Sequence, residues 1–453
     1  MGDIQIALDA IKAKLPECQR YVNYYDGRHQ LTFASKSFQT AFGQVLRTLR
    51  DNLCPIVVDA PADRMEVINF SGDDPKKTSA VADVAWKLWQ REVLELVSND
   101  VHKEALKCGA AYLIIWADDE NKAKFYKQDS RQCVVIEDED TGKPLFGAKQ
   151  WMTNDKYIRL TLYYPDRIEK YVSKKKFDGQ IQEELKEKSF SPAQEEAVVE
   201  NPYGVIPMFK FATPAVLNDA IPIQDALNKT FADRLVTQEF GAFRQRWATG
   251  LEPPVNEVTG IPAVPFEAGI AKLWFTNDAA VKFGDFEASA LEPYLKAADS
   301  DRLEMARVTG TPLHFFAIDV SDAMSGKALK TLESRFTKRV TRMCLNFGTV
   351  WAGAMKFALL IEGVTQSDDN LTAQWAPTES QDEKEFTEIL VLKQDLGIPN
   401  ETLWEEMGYT EEDIAKFKAE EEAEPDVDPA VLAQQQMMNG GTTPKQMATA
   451  KAE

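Results

Sequence analysis

Histidine and cysteine are scarce in this chain, and their scarcity removes several kinds of catalytic motif. The 453 residues include 3 histidines and 5 cysteines. No HxxxH pair, CxxC pair or GxSxG nucleophile elbow occurs in the sequence. The cysteines are widely separated and odd in number, which favours reduced thiols over a disulfide framework. These absences argue against an enzyme, although a site assembled in space needs no local motif.

A phosphate-binding loop is also missing. The dipeptide Gly-Lys occurs twice, but Pro144 follows the first copy and Ala328 the second, so neither completes a P-loop. The acidic residues 137–140 could hold a cation. Because the turn-forming residues 141–144 follow between two apolar runs, we interpret the whole segment as a solvated turn.

The chain lacks a net basic charge and long apolar runs. Lys and Arg total 52 against 72 Asp and Glu, a formal charge of -20. This charge argues against a general nucleic-acid coat but leaves room for a local basic surface. No apolar run approaches the roughly 18 residues of a membrane-spanning helix, and residues 1–6 do not resemble a signal peptide. The composition, with 44% apolar residues, is typical of a globular protein of about three domains.

Apolar patterning before residue 215 predicts a mixture of helices and antiparallel strands. Residues 52–60 predict the end of a helix at a proline, followed by an extended stretch. Residues 79–108 have helical spacing, and residues 110–116 predict a buried strand. Residues 117–215 alternate like antiparallel sheet, except that the charged residues 173–200 predict a mobile loop.

Two helices that flank a small insert are predicted next. Residues 221–248 form a long helix candidate, with Pro222 in its first turn and Gly250 just past its end. Residues 251–290 are rich in proline and glycine and predict a compact insert with a few short strands. A second, acidic helix is predicted at about residues 288–308. The pattern therefore indicates a helix, a small module and a returning helix.

The longest predicted helix begins near Ser325. At 100° per residue, its apolar side chains from Leu329 to Ala358 lie within about 60° of one line. Six basic residues lie about 80° or more from that line, against the single acid Glu333 between positions 326 and 346. An ordinary solvated basic face and a functional basic surface both fit this pattern. The basic residues are Lys327, Lys330, Arg335, Lys338, Arg339 and Arg342.

The C-terminal part of the chain is strongly acidic. Residues 368–453 hold 21 acidic and 6 basic side chains, and so carry most of the net charge. Short helices are predicted around residues 386–392 and 401–404. From residue 425 onward almost no large apolar side chain is present, so we expect a disordered tail that cannot offset the entropy cost of ordering.

Several blocks of sequence between Tyr24 and Gly363 form a recognisable order. The most specific block combines residues 221–229 with residues 246–250. The other blocks are Tyr24–Gly27, Asp51–Asp59 and Ser325–Leu329. None is a catalytic signature, but in their combined order they resemble the portal proteins of long-tailed double-stranded DNA bacteriophages.

The resemblance implies an α+β portal fold that forms a ring oligomer. In such a ring the subunit has a wing, a two-helix stem, a small β-containing clip and a helical crown around a DNA channel. Mapped onto this chain, the expected parts are a wing at 1–220, stem helix 1 at 221–250, the clip at 251–287, stem helix 2 at 288–308, a tunnel loop at 309–325, the long wing helix and return strand at 326–377, the crown at 378–424 and the tail at 425–453.

The resemblance also implies a function. Portal rings, usually of twelve subunits, sit at one capsid vertex of the virion and conduct DNA during packaging and ejection. They dock terminase and head-completion or head-tail connector proteins, and they meet the major capsid and scaffolding proteins while nucleating procapsid assembly in the host cytoplasm. They contact no membrane, use no cofactor and are not enzymes, since a separate terminase hydrolyses ATP.

A DNA channel must let the duplex slide, and each phosphate contact adds affinity through counterion release. The six basic residues of the long helix are therefore candidates either for transient phosphate contact or for pairing between subunits of the ring. Asp299, Asp301 and Glu304 could supply the opposite charge or line the bore. The competing interpretations are a structural ring or head-tail adaptor that does not conduct DNA, and a metal-dependent nuclease built from scattered carboxylates.

Overall fold

The structure of the protein is a computed structural model with two compact units, Met1–Glu379 and Ser380–Glu453. Most of the expected clip, most of the expected tunnel loop and the expected tail lie outside the residues that it describes. The described residues are 2–29, 51–72, 79–177, 185–242, 246–250, 280–285, 290–316, 326–364, 370–379, 383–407, 409 and 411–423.

Seven α-helices belong to the described part of the first unit. The longest carries the predicted apolar stripe on its buried side. The helices are α1 (Asp3–Tyr25), α2 (Cys54–Ala62), α3 (Ala80–Arg91), α4 (Leu94–Cys108), α5 (Leu217–Ala242), α6 (Glu292–Thr309) and α7 (Gly326–Ile361).

Strands of the same unit pair antiparallel throughout the described ladders, as the alternating pattern after residue 117 predicted. They form a sheet in the order β4-β5-β6-β7-β8 with β9 also on β7, a sheet in the order β10-β2-β3, and the pairs β1-β13 and β11-β12. The strands are β1 (Val67–Ser71), β2 (Ala110–Ala117), β3 (Ala123–Gln128), β4 (Cys133–Glu137), β5 (Pro144–Met152), β6 (Ile158–Tyr163), β7 (Arg167–Ser173), β8 (Phe190–Pro192), β9 (Val198–Glu200), β10 (Met208–Ala212), β11 (Arg246–Thr249), β12 (Lys282–Asp285) and β13 (Thr372–Trp375).

Aromatic side chains fill the centre of the first unit, where α3, α4, α7 and β10 meet. Trp89, Phe211, Phe347 and Trp351 are almost completely buried. The ring of Trp351 packs edge-on against Trp89 with centroids 4.9 Å apart, and its Nε1–H donates a 2.9 Å hydrogen bond to Nε2 of the buried His102. The predicted stripe of α7 is thus confirmed as the main apolar face of this core.

Two local predictions were wrong, each for its own reason. Residues 54–62 form helix α2 rather than an extended stretch, because Pro55 stands in the first helical turn, where its missing N–H is no loss. Residues 190–192 and 198–200 are strands, although residues 173–200 predicted a loop. They pair with the edge of β7, and such distant pairing leaves little local pattern.

The helix predicted over residues 221–248 has different ends. It begins four residues earlier and stops at Ala242, and Arg246–Thr249 is a strand that pairs with β12. Trp247 lies over Gly284, where an added Cβ would come 2.4 Å from the indole ring. The absence of a Cβ at Gly284 therefore leaves the space that the indole ring occupies. The second helix begins at Glu292 and ends at Thr309, and the following Gly310, with a φ of 67°, caps its C-terminus.

One segment of α7, Glu333–Ile361, is long and apolar enough to cross a membrane by length and composition alone. Within this fold, 61% of its most apolar window is buried. That burial is what a core helix requires, so we describe α7 as the central helix of the first unit.

The second unit contains three further helices among its described residues: α8 (Glu383–Asp395), α9 (Asn400–Glu406) and α10 (Glu411–Ala423). The two short helices predicted here are confirmed within α8 and α9. The ring of Phe417 packs against Trp404 and Tyr409, with centroids 5.3 Å and 5.1 Å apart. These contacts give the acidic C-terminal part a small apolar centre of its own.

Candidate channel and subunit-contact residues

Helices α5 and α6 run antiparallel to each other. Thr237 Oγ1 donates to the hydroxyl of Tyr294 at 3.1 Å, and Thr230 Oγ1 donates to Asp301 Oδ2 at 3.2 Å. The second contact lies seven residues earlier on α5 and seven residues later on α6 than the first, as antiparallel helices require. Strand β11 follows α5 and pairs with β12, which precedes α6. The described residues therefore form a helical hairpin that continues into a two-stranded ladder.

The three acidic candidates on α6 differ in their surroundings. Asp301 is half-buried between the two helices, and burial raises the pKa of its carboxyl. Asp299 is exposed and pairs with Arg302 at 3.1 Å, while Glu304 pairs with Arg307 at 2.6 Å. Asp301 therefore holds α6 to α5, whereas the charges of the other two are partly balanced within their own helix.

The basic candidates on α7 also differ in their surroundings. Arg335, Lys338 and Arg342 are exposed and lie along one side of the helix. Arg339 turns inward, donates to the backbone oxygen of Thr309 at the end of α6, and has its pKa lowered by burial. Lys327 and Lys330 stand in the first turns of α7, and their side chains lie outside the described set. One of the six is thus a link between helices rather than a surface charge.

Glu333 is a site residue that sequence reasoning overlooked. Its buried carboxylate accepts from Arg64 Nη2 at 2.9 Å, and His314 Nε2 lies 3.0 Å from its other oxygen. Arg64 also donates to the backbone oxygen of Thr378 at 3.1 Å. The signal was present in the sequence, because at 100° per residue Glu333 falls on the apolar line of α7. This ionic cluster fastens the segment after α6 to the long helix.

The segment at residues 137–143 is the turn that its sequence predicted. Asp138 accepts hydrogen bonds from the backbone N and the hydroxyl of Thr141, and Gly142 adopts a φ of 66°. These local hydrogen bonds lower the pKa of the Asp138 carboxyl. No group of three or more His, Cys, Asp or Glu side chains suited to a metal ion occurs among the residues that the structure describes.

The sequence matches a family model across most of its length, from residue 5 to residue 426. The matching model defines the phage portal proteins, and the chain belongs to them. Within that class the family is described as "Phage portal protein, SPP1 Gp6-like". The predicted α+β portal class is thereby confirmed, and portal proteins are structural components of the virion.

Two curated relatives are portal proteins of mycobacteriophages. The chain is 28% identical to the portal protein of Mycobacterium phage L5 over 154 residues, which cover 33% of this chain and 31% of that protein. It is 26% identical to that of Mycobacterium phage D29 over 226 residues, 47% of this chain and 46% of the relative. The chain thus matches less than half of the length of either relative.

Solved structures with similar chains come from gene transfer agent (GTA) particles. The neck of an empty GTA particle, computed with C6 symmetry, contains a chain 12% identical to this one, with a TM-score of 0.49 and coverage of 87% of this chain and 94% of that one. The neck of a native GTA particle, computed with C12 symmetry, gives 13% identity, a TM-score of 0.45 and coverage of 79% and 88%.

Proposed function

We propose that this chain is the subunit of a portal ring, of twelve copies by the family's usual number, that conducts double-stranded DNA at one capsid vertex. The observation that carries the proposal is the portal-family match over residues 5–426. In this role the ring docks terminase and head-completion proteins, and it meets the capsid and scaffolding proteins during assembly in the host cytoplasm. The chain itself catalyses no reaction.

The antiparallel hairpin of α5 and α6 supports the assignment of a stem. We propose that these helices form the stem, and that the segment between them, which includes β11 and β12, forms the clip. The first 216 residues and α7 then make up the wing, and α8 to α10 the crown. The segment after α6, fastened by Glu333 and His314, is the root of the tunnel loop.

The charges of the hairpin suit a channel that does not trap its cargo. Asp299 and Glu304 are each partly neutralised by an arginine of their own helix, so α6 presents little net charge to solvent. A wholly basic bore would bind the duplex through many phosphate contacts. We therefore propose that acidic side chains of α6 face the bore and that few basic residues touch DNA.

Electron microscopy combined with a mass measurement tests the proposal. Twelve copies of a 50.9 kDa chain weigh about 611 kDa. We expect rings of about that mass with an axial hole wide enough for B-form DNA. A closed ring too narrow for DNA would favour the adaptor function. Monomers that persist when the capsid and scaffolding proteins of the same phage are co-expressed would contradict the ring.

A further inference from the structure

The outward face of α7 carries a basic stripe, defined here as Arg335, Lys338, Arg342 and Leu345. These positions are three or four residues apart, so their side chains lie one above the other on the helix. Leu345 is 67% exposed and stands one turn beyond Arg342, at the end of the stripe. The three cations make no ion pair with any residue that the structure describes, so the stripe presents unbalanced positive charge that ends beside an exposed apolar side chain.

The junction of α3 and α4 carries a complementary feature, which we call the acidic knob: Val93, Glu95 and Leu96. Leu96 is 72% exposed and Val93 is also exposed. Within the described part of the chain, the carboxylate of Glu95 forms no ion pair. Val93 has a φ of 52°, a left-handed conformation that a β-branched residue rarely adopts. Such strain persists only where the surroundings enforce it, and it is common at binding sites.

The stripe and the knob face away from each other. His102 on the inner side of α4 accepts a hydrogen bond from Trp351 on the inner side of α7. At 100° per residue, Leu96 lies nearly opposite the buried face of α4, and Leu345 lies far from the buried face of α7. The two features therefore project from opposite sides of one shared core.

A closed ring needs two different, complementary patches on opposite sides of each subunit. We propose that the basic stripe of one copy docks on the acidic knob of the next copy. Leu345 then packs against Val93 and Leu96, and Glu95 pairs with Arg342, the cation nearest to Leu345. This inference rests on the proposed ring, and it assigns the stripe to contact between subunits rather than to DNA.

Charge exchange tests the pairing. Arg342→Glu and Glu95→Arg are made separately and together, and the concentration at which rings dissociate is measured by mass photometry. Each single variant should raise that concentration at least tenfold, because it places like charges across every contact. The double variant should return to within about threefold of the wild type, because each exchanged charge again meets its opposite.

Matched controls are Lys143→Glu and Glu139→Arg in the exposed turn between β4 and β5. These changes are of the same size and should leave the rings unaltered. If the rings of all variants, including the controls, dissociate at the same concentration, the proposed pairing is wrong, but the portal ring itself is not contradicted. Wild-type monomers, even beside the co-expressed capsid and scaffolding proteins, would overturn the ring itself. Normal Arg342→Glu rings that package less DNA would place the stripe against DNA and overturn the inference.

Discussion

At the scale of single residues, the buried imidazole of His102 makes the core sensitive to acid. Its ring stacks on Phe347 with centroids 5.2 Å apart, and its Nε2 accepts from Trp351. Burial lowers the pKa of His102 to about 3, whereas an unfolded histidine titrates near about 6.5. Between these values the unfolded chain binds a proton that the folded chain does not bind. Stability from this group is therefore complete above pH 6.5 and is lost as the pH falls toward 3.

We expect the free energy of unfolding to fall by up to about 1.4 kcal/mol per pH unit from this group between pH 6 and pH 4. His102→Gln keeps a hydrogen-bond acceptor but cannot titrate, so its unfolding free energy should fall less steeply. Denaturant unfolding at pH 7, 5.5 and 4 measures both slopes. Carboxylates titrate in both proteins, so only the difference in slope reports on His102, and equal slopes would contradict the prediction.

Glu333 offers a second test at this scale. Glu333→Gln removes the carboxylate that pairs with Arg64 and lies 3.0 Å from His314 Nε2. We expect a loss of about 2 kcal/mol, below the 3–5 kcal/mol of fully buried pairs, because Arg64 keeps partial exposure to water. Denaturant unfolding measures the loss, with the exposed Glu139→Gln as the control. Hydrogen exchange at residues 313–316 should rise in Glu333→Gln alone, and unchanged exchange would mean that the cluster does not fasten this segment.

At the scale of elements, the phase of the long helix could be predicted from the sequence, whereas the ends of helices and strands could not. The apolar stripe of α7 could be predicted because a 36-residue helix repeats its pattern many times. The end of α5 could not, because the strand at Arg246–Thr249 depends on pairing with residues 282–285, far along the chain. Helix α2 shows the same limit, since one proline can either end a helix or start it.

The same contrast holds for the candidate site. The exposure of Arg335, Lys338 and Arg342 was predictable from phase, because each lies far from the apolar line. The inward turn of Arg339 was not, because it depends on the end of α6 coming close to α7 in space. The buried position of Glu333 was predictable in principle, because helical phase places it on the apolar side of α7. Since the residue is charged, it was not included in the predicted apolar stripe.

Phe336→Asp tests the phase of α7 directly. Phe336 is almost completely buried beneath Arg64, whose guanidinium lies 5.2 Å from the ring centroid and already pairs with Glu333. The new carboxylate would be buried without a partner of its own, at a cost of several kcal/mol. We expect loss of cooperative thermal unfolding by circular dichroism. Thr349→Asp on the exposed side should unfold like the wild type, and an unchanged Phe336→Asp curve would show that the helix phase is wrong.

At the scale of the whole molecule, the first unit holds the main core and the second has its own small core. The family match ends at residue 426, close to where the sequence becomes poor in large apolar side chains. We therefore predict that a chain ending at Glu424, which lacks the tail at 425–453, assembles like the full-length protein. Gel filtration of the two proteins tests this. A shift of the shorter chain to monomers would give residues 425–453 a role in assembly.

Strands β1 and β13 pair Phe70 with Ala373, which ties residues about 300 positions apart into one ladder. A ribosome that adds about 5–20 residues per second needs roughly 15–60 seconds to make the chain between them. During that interval the apolar sides of α3 and α4 have neither β13 nor the tryptophan of α7 to cover them. We therefore expect the nascent chain to depend on chaperones until its last third emerges, so that no subunit is ready for assembly before its own synthesis is nearly complete.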